Sequence, residues 1–176
     1  MLNYISKIDW YKVPDELVWG EVAGISIDHE NRVIVFVRGE TPVIILSTAG
    51  EYIDSFGEGE FTNRAHSVRV DSENFYWFVD DGNHTVSKYN SKGERLLTIG
   101  VPNKPSELHS GIPFNRCTDI AVDYKNGALF ISDGYGNSSV HKYTLDGELI
   151  TSWGAPGTDP GHFNIVHNIT MDDSGL

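Results

Sequence analysis

Gly24-Ile-Ser-Ile-Asp28, Ser67-Val-Arg-Val-Asp71, Asp119-Ile-Ala-Val-Asp123 and Asn168-Ile-Thr-Met-Asp172 are four copies of one pattern. Each is a short alternating strand running into a turn of the form Asp-x-x-x-Gly/Asn. Their starts at 24, 67, 119 and 168 lie 43, 52 and 49 residues apart, the period of a four-stranded propeller blade. The innermost strand of each blade lines a central channel. Five residues before each closing Asp stand Ala23, His66, Thr118 and His167. Alternate copies therefore aim an imidazole at a common point near the axis, a pattern that reads as part of a metal site.

Working outward, residues 1–21 form a lead-in whose Trp10, Tyr11 and Trp19 should pack on a neighbouring blade. Blade one spans 22–61, blade two 66–100 and blade three 118–154, with an excursion over 101–115 and the start of blade four at 165–176. The expected architecture is an all-β propeller with about three four-stranded blades of six. Fewer than four blades cannot close a ring, and open blades leave sticky faces. The chain thus reads as a piece of a longer protein, or as one that completes its ring by self-association through exposed blade edges.

Composition narrows the function classes. With 39% apolar residues in 176 there is enough for one domain with a core, and 18 Gly with 7 Pro supply the turns. A net charge of −12 argues against nucleic acid or an anionic membrane surface as partner. No 18-residue apolar run exists to span a membrane. Met1-Leu-Asn-Tyr-Ile-Ser-Lys7 lacks the apolar stretch of a signal peptide, which leaves a cytoplasmic location or a lost secretory signal. One cysteine, Cys117, cannot form an intrachain disulfide.

The stretch Val79-Asp-Asp-Gly-Asn-His-Thr-Val-Ser-Lys-Tyr89 resembles the NHL repeat. Ser132-Asp-Gly-Tyr-Gly-Asn-Ser-Ser-Val-His-Lys-Tyr143, followed by Trp153-Gly-Ala-Pro-Gly-Thr-Asp-Pro-Gly-His-Phe163, is more specific. Together with Arg64-Ala-His-Ser-Val68 and Ile165-Val-His-Asn-Ile169, it is similar to peptidyl-α-hydroxyglycine α-amidating lyase (peptidylamidoglycolate lyase). The resemblance covers about Val22 to Leu176. It implies a six-bladed NHL propeller that splits an α-hydroxyglycine peptide, or a small α-hydroxy amide, into an amide and glyoxylate. It also implies a zinc ion held by three histidines, of which His66 and His167 match two and the third lies in a later blade.

By the same resemblance, Tyr135 is the catalytic tyrosine and Arg38 a catalytic arginine. A second arginine falls beyond Leu176. Calcium would be bound by the backbone carbonyls of Ile25 and Val68. Secreted relatives carry a disulfide from the position of Cys117 to that of Gly136, so this chain lacks it and suits a prokaryotic relative. His29, His84, His109, His141 and His162 read as structural or surface residues. Two other classes compete with this reading: a non-enzymatic NHL propeller that binds a peptide, glycan or protein, and a propeller hydrolase such as a lactonase. The first has no reason to place histidines in alternate channel positions beside a Tyr and an Arg. The second usually wants carboxylates and Asn in the channel register, which here offers none.

Overall fold

A computed structural model describes residues 4–172. Its twelve strands form three antiparallel sheets, each in sequential order, and no helix occurs among the described residues. Blade one is β1 (Glu21–Ile27), β2 (Arg32–Arg38), β3 (Val43–Ser47) and β4 (Tyr52–Phe56). Blade two is β5 (Ala65–Val70), β6 (Tyr76–Asp80), β7 (Thr85–Tyr89) and β8 (Arg95–Ile99). Blade three is β9 (Asp119–Asp123), β10 (Ala128–Asp133), β11 (Ser139–Thr144) and β12 (Leu149–Trp153). The first strands meet one another from blade to blade, β1 against β5 and β5 against β9, as an innermost position requires.

The repeated Asp works as a turn clamp. Asp28 Oδ1 accepts the N–H groups of Glu30 and Arg32 at 2.9 and 2.8 Å, and Asp71 Oδ1 those of Glu73 and Phe75 at 3.0 and 2.9 Å. Asp123 holds the Asn126 backbone and amide instead. The turns then pass through left-handed residues, Asn31 (φ 58°), Asn74 (φ 65°) and Gly127 (φ 66°). Asn and Gly are the residue types that tolerate this region.

Strand alternation sends β6 into two cores at once. Tyr76 and Phe78 face blade one, packing with Ile34, Phe36, Val43, Ile45 and Tyr89. Trp77 and Val79 face blade three, packing with Ile120, Leu129, Ile131, Phe114 and Tyr143. This two-sided burial explains why Tyr-Trp-Phe-Val reads as an unbroken apolar run. The lead-in covers part of the outer face of blade one: Trp10, Val13, Leu17 and Trp19 lie on Val35, Val37, Ile44 and Leu46. Val22, Ile25 and Ile27 on β1 remain exposed, as do Leu149 and Ile150 on β12.

Two expectations change. Residues 165–172 form no strand, because no neighbouring segment among the described residues offers them a ladder, and 173–176 lie outside the described residues. The inner strands of blades one and two begin earlier than the pattern suggested, at Glu21 and Ala65, and each carries a bulge, whereas β9 starts at Asp119 with an unbroken register. The pairing of β1 with β2 skips Ala23, and that of β5 with β6 skips His66.

Phe78 is completely buried among Phe36, Phe56, Phe61 and Tyr89. Urea unfolding of Phe78→Ala should show a loss of about 3–5 kcal/mol, while Val22→Ala on the exposed face costs under about 1 kcal/mol.

Candidate functional site

His66 owes its direction to its bulge. An extra residue in one strand bends it and re-aims a side chain, and here it turns the imidazole from blade two toward blade three. Nδ1 donates to the Thr118 carbonyl at 2.6 Å, so that nitrogen carries the proton and Nε2 keeps its lone pair. Nε2 lies 3.1 Å from the Tyr135 hydroxyl. The residue is 8% exposed. Burial first, with a smaller contribution from the Arg38 charge, lowers its pKa below 6.5 despite the bond to Thr118.

His167 approaches from the other side. Its Nε2 is 2.8 Å from the same hydroxyl, and its ring centre is 4.8 Å from that of His66. Its Nδ1 donates to Asn168 Oδ1 at 3.0 Å, since the Asn168 amide nitrogen faces Asp119. Both histidines therefore present Nε2 lone pairs to one oxygen that owns one proton. Only one of the two contacts can be an ordinary hydrogen bond. A cation at this point would satisfy both lone pairs, and neutral imidazoles with oriented Nδ1–H groups are the form in which histidine binds metal.

Thr118 holds the two halves together. Its carbonyl orients His66, and its hydroxyl donates to the carbonyl of Val166, the neighbour of His167, at 2.9 Å. Asp119, buried beneath, accepts the Ile169 N–H at 3.3 Å and binds Ser67 Oγ and the Arg69 guanidinium. The odd copy of the repeat thus places the even ones, and this explains how residues 165–172 stay in place without a strand.

Tyr135 sits on the turn leaving β10 and is partly buried. A Cβ on Gly134 would stand 1.9 Å from the Val166 oxygen, and one on Gly136 2.3 Å from the Asn115 side chain. Both glycines are needed because the loop threads between two backbones. Asn137 locks it further, donating to Asp133 at 2.7 Å and to the Ile112 carbonyl at 2.8 Å.

Arg38 donates to the carbonyl of Ala65, beside His66, at 3.1 Å and pairs with Glu21 at 3.1 Å. With Arg64, Trp19, Gly20, Glu21 and Asn63 it lines a cleft of about 700 Å³. The arginine on Tyr135 itself is another one: Arg116 lies 4.5 Å from the ring centre. Sequence reasoning missed Arg116, Arg64 and their shared partner Asp81; the only signal was the second Asp of the Asp-Asp-Gly-Asn-His turn.

Gly136 packs against Asn115. Cys117 is buried, with Sγ 3.6 Å from the Thr85 carbonyl, and burial pushes its thiol pKa well up. His84 accepts the Arg116 N–H, and His141 is fully buried between Ser152 and Asp133. Among the described residues no three or more His, Cys, Asp or Glu gather as metal ligands. Ile25 and Val68 alternate with the ladder-bonded Ser26 and Arg69, so their N–H and C=O groups point off the free inner edges of β1 and β5.

The sequence pattern of the NHL repeat family matches residues 114–143, which include Tyr135. The chain is 27% identical over 199 residues to peptidylglycine alpha-amidating monooxygenase of Rattus norvegicus, covering 92% of this chain and 20% of that protein. It is 32% identical over 159 residues to a probable peptidyl-alpha-hydroxyglycine alpha-amidating lyase of Caenorhabditis elegans, covering 88% of this chain and 43% of that protein. It thus spans less than half the length of these relatives. A solved streptogramin B lyase superposes with TM-score 0.68 at 18% identity, covering 91% of this chain and 48% of that one, which supports the fold. The chain is an NHL-repeat β-propeller that resembles peptidyl-α-hydroxyglycine α-amidating lyase.

Because the native His66 pKa lies below the unfolded value of 6.5, protonation favours unfolding. The stabilising contribution of His66 is complete above about pH 6.5 and is lost as pH falls through the lower native value. A histidine NMR titration should place the His66 midpoint below 6.5; a midpoint above it would mean the ring is not desolvated as described. Gly134→Ala should separate the Tyr135 loop from Val166, seen as loss of the proximity signal between the Tyr135 and His167 rings.

Proposed function

We propose that this propeller is a zinc-dependent lyase that cleaves peptidyl-α-hydroxyglycine to a peptide amide and glyoxylate. The observation that carries the reading is the convergence of two neutral imidazole lone pairs on the Tyr135 hydroxyl. His66 and His167 would hold the zinc, with a third imidazole supplied from outside the described residues. When bound, zinc acts as a Lewis acid that makes a hydroxyl easier to deprotonate.

The chain's own residues account for the rest. Tyr135, in ionised form, takes the proton of the substrate's carbinol hydroxyl. The freed electron pair becomes the carbonyl of glyoxylate as the C–N bond breaks; the bond's own pair goes to the amide nitrogen, which takes the proton back from Tyr135 and leaves it ionised. The overall reaction neither consumes nor releases a proton. Arg38 offers its planar fork to the substrate carboxylate, for which that geometry is suited. The cleft between Arg38, Arg64 and Trp19 gives the peptide portion room. The carbonyls of Ile25 and Val68 would hold calcium as a structural ion in the same proposal.

Glyoxylate release from an α-hydroxyglycine peptide with added zinc tests this. The longest natural chain containing residues 1–176 should turn over, and His66→Ala in that chain should lower the rate at least about 100-fold, beyond the usual cost of losing an outer-shell partner. Residues 1–176 alone, with two imidazoles, should be much slower than the longer chain. Unchanged turnover in His66→Ala would overturn the assignment and leave a binding propeller as the reading.

A further inference from the structure

Arg116 is gripped at both ends by one turn of blade two. Its guanidinium donates to Asp81 at 3.3 Å. Asp81 is 1% exposed and also accepts Arg64 through Nε and, at 2.9 Å, through Nη2. Burial by itself would raise the Asp81 carboxyl, but the two guanidiniums more than offset it and hold it below the usual carboxylate range. The Arg116 backbone is left-handed (φ 64°), a region side chains with a Cβ rarely occupy. Its N–H donates there to His84 Nδ1 at 3.0 Å, and burial keeps the His84 pKa below that of a free imidazole. Asp81 and His84 both belong to the Asp-Asp-Gly-Asn-His turn.

The grip is spent on Tyr135. The Arg116 guanidinium lies over the aromatic face at 4.5 Å, while its buried Nε finds no acceptor. An arginine kept only to pair with a carboxylate would use that donor. A cation over the ring face is attracted by the ring's quadrupole, and this face contact sets the ring plane that carries the hydroxyl to both imidazoles.

We propose that Arg116, anchored by Asp81 and His84, is a positioning residue: it fixes the plane of the Tyr135 ring, and with it the place of the phenol oxygen at the end of the site where His66 and His167 converge. The inference rests on the lyase reading. It gives the His of the NHL pattern a second purpose, since the repeat turn of blade two builds the support for a residue in blade three.

A double-mutant cycle of Arg116→Gln and Tyr135→Phe in the longest natural chain tests it, with kcat and KM read from glyoxylate release. Arg116→Gln should lower kcat about 10–100-fold, the scale of a misplaced reacting group, with KM within about twofold. In the Tyr135→Phe background the same change should cost less than about twofold, because groups that act as a unit are not additive. Arg116→Lys, which keeps a cation over the ring and loses the fork, should restore part of kcat. If Arg116→Gln lowers the melting temperature, Arg116→Lys is judged by the same criteria. A full, additive loss in the Tyr135→Phe background, or a rise in KM at constant kcat, overturns the proposal while the lyase reading stands. Normal activity in Tyr135→Phe, or none in the unmodified chain, overturns the lyase reading and this inference with it.

Discussion

The hydrogen bond from His66 Nδ1 to the Thr118 carbonyl crosses from one blade to the next at 2.6 Å, and the site depends on it. Its net contribution to stability is on the order of 1 kcal/mol, but breaking it would strand a buried donor at about 1–3 kcal/mol. More important is what it specifies. It fixes the tautomer, leaves Nε2 as an acceptor, and points that lone pair at Tyr135. The bond exists because the bulge lifts His66 out of the β5 ladder, and because Thr118 occupies the corresponding place in the next copy. Through its hydroxyl, Thr118 also fixes Val166 and so His167. One residue, Thr118, thus sets both imidazoles through two hydrogen bonds.

Around this cluster the charge distribution runs against the chain as a whole. The protein carries a net −12, yet Arg38, Arg64 and Arg116 gather by the two histidines and Tyr135. Gathering like charges costs energy unless carboxylates are interleaved, and Glu21 and the buried Asp81 are placed to do this. Asp81 in particular pairs with two guanidiniums, offsetting part of their charge and leaving the Arg116 face to the Tyr135 ring. A positive patch of this kind favours an anionic reactant.

Most of the fold was legible because its causes are periodic. Asp28 and Asp71 close their strands with the same side-chain clamp and Asp123 with a variant of it, so a repeat in letters is a repeat in turn hydrogen bonds. The register that carries Ala23, His66, Thr118 and His167 is likewise a consequence of the period, and His66 and His167 do converge. The bulges at Ala23 and His66 were not legible, since a one-residue insertion leaves the alternation before and after it intact. Nor was the Arg116–Asp81–Arg64 group, which joins positions far apart in sequence with no shared pattern. Residues 165–172 resemble an inner strand in letters, but a strand needs a ladder partner and the described residues provide none.

The account turns on His66 and His167 acting together as ligands. Anomalous diffraction at the zinc edge, on crystals of the chain grown with zinc, addresses this without reference to catalysis. The account predicts one peak about 2.0–2.1 Å from both Nε2 atoms, with the His66 Nδ1 bond to Thr118 retained. A zinc peak elsewhere, or a zinc-soaked crystal in which the two Nε2 atoms still meet only the Tyr135 hydroxyl, would contradict it.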